Sequence, residues 1–277
     1  MAAKRPVGHS AQEALAKLVV NPPIALRVLR DGCPESVGLF MAEADRQELV
    51  AFLDQHGPAF RMSVLLLRKR RMDNVLETLS TVSQMFSDYE LACYWDDYLD
   101  TLDLHVATPK NPLLESVYFA RHVLTTLPAN DVHSSIVAYD LARNEVIAAV
   151  AADEAIHPVP TNAVSPSDWA PYVHPAMRSA NFMHNVSAMV RMVTRGAGRN
   201  EVLQAHGKKA ETIVFFKNWR KGGVGSMCAT TPVVGAMSRM DGRKSAQHLE
   251  SQSPGVARLI DMLADTGAVI RVTAGKS

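Results

Sequence analysis

Between Ala155 and Pro175 the chain places five prolines: Pro158, Pro160, Pro166, Pro171 and Pro175. No helix interior tolerates that density, because each proline removes an N–H and sets its ring against the carbonyl four residues back. The segment divides a 277-residue chain, long enough for two cores, and two further properties change at the same place. Through Ala176 there are 14 Lys and Arg against 22 Asp and Glu, a balance of −8; from Met177 onward there are 15 against 6, a balance of +9. Apolar periodicity also turns from helical to strand-like. The expected organisation is a helical domain over 1–154, a proline-rich linker over 155–176 docked through Trp169 and Tyr172, and a second domain over 177–277. Opposite charge in the two halves suggests separate partners, or domains that attract each other.

The first half reads as helices almost throughout. Ala11–Val20 is amphipathic and stops at Asn21-Pro22-Pro23. Ala44–Gln55 carries Leu49, Phe52 and Leu53 at i, i+3 and i+4 and is expected to end at Gly57-Pro58. Phe60–Phe86 forms one long helix or two. Asp88–Leu102 and Pro112–Thr126 follow, and Asp131 is an N-cap for a helix reaching Ala152.

In the second half, Arg178–Val193 has strand-like composition, with a helix left open for its latter part. Glu211–Trp219 is the clearest strand. Lys221-Gly222-Gly223 turns it into Val224–Ala229, a hairpin. Thr230 or Thr231, with Pro232 in the first turn, opens a helix to Met240. Lys244–Ser251 is a second helix, and Ser253-Pro254 opens a third through Ala264, closed by Gly267. Ala268–Thr273 is a strand-like tail. The fold class is α+β: an all-helical N-terminal domain followed by a winged-helix-like βββααα domain.

Motifs for catalysis are absent: there is no GxGxxG in strand–turn–helix context, no GxxxxGK[ST], no HExxH, no CxxC and no GxSxG. Asp96, Asp97, Asp100 and Asp103 share a helical face able to bind a hard cation or serve acid–base chemistry. It reads first as a solvated face or one that meets the basic domain. The run Arg68-Lys69-Arg70-Arg71 reads as solvated or paired with acidic neighbours. His174 and His184 read as surface or interface histidines ahead of metal ligands. Gly222-Gly223-Val224-Gly225 joins strand to strand, so it is a turn and not a phosphate cradle. Cys228, with no His–carboxylate pair beside it in sequence, reads as a buried structural thiol. No catalytic residue and no metal ligand is assigned. Cys33, Cys93 and Cys228 are odd in number and widely spaced, which fits reduced thiols in a cytoplasm. No apolar run approaches the roughly 18–20 residues of a membrane span, and the N-terminal stretch lacks a signal-peptide core.

The hairpin followed by helices offers two binding modes. A helix can enter the DNA major groove, with Arg239, Arg243, Lys244 and Arg258 on phosphates. Alternatively the edge strand Val224, Gly225, Ser226, Met227, Cys228 and Ala229 accepts an extended peptide, with pockets from Val256, Arg258, Leu259 and Met262 on the last helix. Basic residues then attract an acidic peptide.

This layout resembles the recognition elements of ribosomal-peptide maturation systems, winged-helix-like modules that capture a precursor's leader by strand addition. Leu15–Leu29 (LAKLVVNPPIALRVL), Leu67–Phe86 (LRKRRMDNVLETLSTVSQMF) and Tyr94–Leu99 (YWDDYL) are similar to the helical domain of a bacterial DNA-binding-domain family. Val173–Val190 (VHPAMRSANFMHNVSAMV) and Ile213–Trp219 (IVFFKNW) lie where that family has its first strands. Proteins of this build accompany multinuclear non-haem iron-dependent oxidative enzymes in methanobactin-like and 3-thiaglutamate-like pathways, and the 3-thiaglutamate-type partner is the closer match. The resemblance implies a non-catalytic cytoplasmic accessory subunit, forming a heterodimer with an iron-dependent oxidative enzyme. It would bind a precursor peptide's leader and present its core. Iron belongs to the partner enzyme, and this chain holds no cofactor. A DNA-binding regulator is the alternative, and an enzyme with a site around Asp96, Asp97 and Asp100 is a third.

Overall fold

The computed structural model describes residues 9–32, 34–37, 39–102, 110–152, 169–205, 207, 209–218 and 222–273. The chain is mixed α+β, with a helical N-terminal region and a small C-terminal sheet region. It forms two compact units, one drawn from Met1–Thr78 and Phe86–Glu115, the other from Leu79–Met85 and Ser116–Ser277.

In the first unit, α1 (Ala11–Val20) begins at a capping box: Ser10 Oγ accepts from Glu13 N–H at 3.2 Å, and Glu13 accepts from Ser10 N–H at 3.0 Å. α2 (Pro22–Asp31) follows with proline in its first turn and ends at Gly32, whose φ of 64° suits a residue without Cβ. α3 runs from Glu43 to Thr78 with Pro58 inside it. The expected stop at Gly57-Pro58 is therefore corrected. Buried Leu49, Gly57, Phe60 and Val64, with half-buried Leu53, continue one stripe at steps of three and four across the proline. Burying that stripe against α1 and α2 offsets the backbone bond lost at Pro58, which otherwise costs about 3 kcal/mol. After α4 (Val82–Met85), which belongs to the second unit, α5 (Asp88–Asp100) returns to the first, opened by a second capping box from Ser87 and Glu90.

The second unit takes up most of α6 (Pro112–Thr126) and all of α7 (Val132–Ala152). Asp131 accepts from His133 N–H at 2.7 Å at the start of α7, as expected of an N-cap. Buried Asp140 on α7 accepts from the N–H groups of Thr81 and Val82 at 2.8 and 3.0 Å and so starts α4. Strands β1 (Trp169–Val173) and β5 (Val269–Thr273) form an antiparallel ribbon, and β2 (Arg178–Phe182), β3 (Glu211–Lys217) and β4 (Val224–Ala229) form an antiparallel sheet in that order. Between β2 and β3 lie α8 (Val186–Thr194) and α9 (Arg199–Ala205); after β4 come α10 (Thr231–Met237), α11 (Ala246–Gln252) and α12 (Val256–Thr266).

Alternation gives the three-stranded sheet two distinct faces. Phe215 points toward α7, where Tyr139 meets it edge-on with ring centroids 5.0 Å apart. Val214 and Phe216 point the other way, into a core with Trp169, Met237, Leu249, Ile260, Leu263 and Val269.

Three expectations change here. The order is ββααββαααβ instead of βββααα, because Val186, Met189 and Val193 at i, i+3 and i+7 bury one face of a helix where strand was favoured. The compact units do not follow the division at 1–154, 155–176 and 177–277, since α7 packs on β2 and β3. Trp169–Val173 of the expected linker is a strand, tolerating Pro171 in a two-stranded ribbon; residues 153–168 lie outside the described residues.

Candidate functional site

β4 is one edge of the three-stranded sheet, β2 being the other, and among the described residues it pairs with β3 alone. Its register sets Thr212 opposite Ala229, Val214 opposite Met227 and Phe216 opposite Gly225. At the turn, Asn218 N–H donates to Gly223 O at 3.1 Å in the same register. Hydrogen-bonded and non-hydrogen-bonded pairs alternate along an antiparallel ladder. Gly225, Met227 and Ala229 therefore exchange main-chain bonds with β3, whereas the N–H and C=O groups of Val224, Ser226 and Cys228 point away from it, to the open edge. The turn needs its glycines: Gly222 and Gly223 both have φ of 70°.

Native edge strands are commonly blunted by charge, proline or a bulge. The sequence VGSMCA has neither charge nor proline, and its register with β3 is unbroken. The strand is six residues long, and among the described residues none pairs with its outward backbone groups.

On one flank, half-buried Met227 and Ala229 of β4, Val233 of α10 and Leu259 of α12 pack on the core that holds Phe216. Met227 and Ala229 thus give β4 an apolar flank over a core that α10 and α12 also cover. α12 is held at its start by Glu250, which accepts from Gly255 N–H at 2.8 Å and Ala257 N–H at 2.7 Å. Those two N–H groups, Ala257 first, hold its carboxyl below the usual range. Of the anticipated α12 contacts, Val256 is a core residue, Arg258 is exposed, Leu259 is half-buried and Met262 is 48% exposed. Leu259 and Met262 lie on the flank of the helix away from Asp261, which pairs with Arg271 of β5 at 3.4 Å.

The other flank is polar. Cys228 is exposed, which corrects the expectation of a buried thiol: its side chain is on the outer strand, where nothing described covers it. Its Sγ lies 3.6 Å from Glu211 Oε2 and 3.8 Å from Ser187 Oγ. Glu211 in turn accepts from Ser187 N–H at 2.6 Å and from its hydroxyl at 2.8 Å, at the first turn of α8. Neither Ser187 nor Glu211 was singled out from sequence. The cluster forms only when the start of α8 meets the β3–β4 pair.

The remaining candidates resolve into structure. Arg68 pairs with Asp96 at 2.6 Å and Lys69 with Asp73 at 2.6 Å. Arg71 grips buried Glu115 with both Nε and Nη2, donates to Val20 O at 2.7 Å and stacks over Trp95. Arg68, Lys69 and Arg71 of the basic run, and Asp96 of the acidic face, thus pair within the helical unit; Asp103 lies outside the described residues. His174 and His184 are buried, not on the surface: His174 Nδ1 accepts from Ala176 N–H at 3.0 Å, and His184 Nδ1 bonds Ser135 Oγ at 2.9 Å. Among the described residues no group of three His, Cys, Asp or Glu side chains is placed to hold a metal ion, and no helix is long and apolar enough to cross a membrane. An open groove of about 1170 Å³ runs between α2 and α3 over Leu26, Leu29, Leu53 and Leu65. Its rim mixes Arg27, Arg30 and Arg61 with Asp54 and Asp100, so it favours neither charge. The β4 edge is the more selective surface.

No protein-family model matches the chain, and no curated protein matches it.

Proposed function

We propose that this chain is a non-catalytic accessory subunit that takes up an extended segment of a ribosomally made precursor peptide at the β4 edge and presents the peptide's core to a partner iron-dependent oxidative enzyme. The observation that carries this reading is the β4 edge itself: three outward-facing residues, unguarded by charge or proline, between half-buried Met227 and Ala229, which pack on a core shared with α10 and α12. Strand addition needs those two things, main-chain groups for affinity and side-chain pockets for selection. In this reading the β3–β4 hairpin with α10–α12 acts as a winged-helix-like recognition module. The iron belongs to the partner, the pair forms a heterodimer, and the work is cytoplasmic, where precursor peptides are made.

The test is affinity purification of the tagged chain from its native host, with mass spectrometry of what co-elutes and metal analysis of the complex. An iron-containing oxidative enzyme together with a short peptide is the expected result. Ser226→Pro, which removes one outward N–H, is expected to lose the peptide and keep the enzyme. Recovery of the chain alone, or duplex DNA affinity that falls steeply with salt, overturns the reading.

A further inference from the structure

The two flanks of the β4 edge differ in chemistry, and a strand added there meets both. Residues directly opposite each other in a ladder share a face. A residue of the added strand opposite Cys228 therefore directs its side chain to the flank of Cys228, Ser187 and Glu211, and its immediate neighbours turn theirs to the apolar flank of Met227 and Ala229. Glu211 is half-buried, and its described partners are neutral donors: the Ser187 N–H, the Ser187 hydroxyl and the Cys228 thiol. The N-terminus of α8 tempers its charge without neutralising it. Cys228 is the residue between this carboxylate and the edge, and an added strand lies only about 4.8 Å beyond β4.

We infer that Glu211 makes the polar flank of the β4 edge a subsite for a cationic side chain, so that the segment bound there carries Lys or Arg opposite Cys228, flanked by apolar residues. The ligand class is an extended peptide of alternating pattern, with apolar side chains on one face and a basic one on the other. This rests on the strand-addition reading, and it adds one basic position to the acidic peptide expected from net charge. Glu211 caps α8 as well, so the measurement must separate charge recognition from a structural role.

The full-length chain is titrated at low salt into three fluorescein-labelled synthetic peptides, each of eight residues alternating Val and Thr between Gly-Ser ends. One central Thr is kept, or replaced by Lys, or replaced by Glu. The Lys peptide is expected to bind about fivefold tighter than the Thr peptide, and about tenfold or more tighter than the Glu peptide, as for favourable and unfavourable cross-strand charge pairs. Glu211→Gln keeps an acceptor for Ser187 N–H and is expected to fold normally by circular dichroism, while the three affinities converge to within about twofold. Equal affinities in the unaltered chain, or a Lys preference that persists in Glu211→Gln, overturn the subsite and leave strand addition standing. If none of the three peptides binds, both fail. Ser226→Pro is expected to weaken all three together, which locates the binding at the edge.

Discussion

Gly225 is where the hairpin and the core beneath it are most tightly coupled, and replacing it with alanine has a computable consequence. A Cβ built at Gly225 falls 2.7 Å from Cε2 and 2.9 Å from Cζ of Phe216, its cross-strand partner. Carbon atoms prefer about 3.5–4.0 Å, so the ring must withdraw by nearly 1 Å. It has little room: Phe216 is 5% exposed and is packed among Trp169, Met237 and Ile260. Overpacking of this kind costs about 1–3 kcal/mol, while exchanging a strand glycine for alanine returns about 0.5–1 kcal/mol. The net expectation for Gly225→Ala is a loss of about 1 kcal/mol in the sheet-containing unit. Urea unfolding followed by tryptophan fluorescence and circular dichroism reads it as a midpoint lowered by about 0.5 M. In a Phe216→Leu background the clash is gone, and Gly225→Ala is expected to be neutral or slightly stabilising. Equal destabilisation in both backgrounds refutes the contact as the cause, and a stabilised Gly225→Ala in the unaltered chain refutes the packing itself.

Other predictions test separate parts of the structure. Met227→Pro removes a ladder bond to Val214 and is expected to cost about 2–3 kcal/mol, whereas Ser226→Pro loses an outward N–H and is expected to leave the melting temperature nearly unchanged; the reverse order would invalidate the ladder phase assigned to β4. Glu115→Leu strands Arg71 beside a carboxylate site only 3% exposed, and is expected to cost about 3 kcal/mol in chemical denaturation, against less than about 1 kcal/mol for removing the exposed carboxylate of Asp96, by Asp96→Ala, from its pair with Arg68. Burial pushes the Asp140 carboxyl up, with the N–H groups of Val82 and Thr81 and the charge of Arg143 pulling the other way. A raised folded value means that the stabilising contribution of the protonated form is complete below the ordinary aspartate range of about 4 and fades as pH rises through the folded value. Asp140→Asn is therefore expected to gain stability relative to the unaltered chain as pH rises above about 4, and a stability difference that does not change with pH would exclude Asp140 as the titrating group.

What could be read from sequence depended on whether a signal was local. The stop at Asn21-Pro22-Pro23 and the paired Gly222 and Gly223 act within a few residues, and the elements they bound, Ala11–Val20 and Val224–Ala229, keep their expected limits. Pro58 is also a local signal, but it is overruled by a stripe whose partners are on α1 and α2. The β1–β5 ribbon joins residues about a hundred positions apart, and no local pattern announces such a pairing. The candidate site divides along the same line. Its edge was legible, because a diglycine turn between two apolar runs marks a hairpin. Its polar flank was not, because valines at 186, 190 and 193 drew Arg178–Val193 toward strand, and a strand there brings no helix start to Glu211. Once Asn185 caps α8, with its side chain accepting from Ala188 N–H at 3.3 Å, Ser187 falls in the first helical turn and Glu211 gains its two bonds. The polar flank therefore follows from the choice left open for the latter part of Arg178–Val193: only as a helix does it bring its first turn to Glu211.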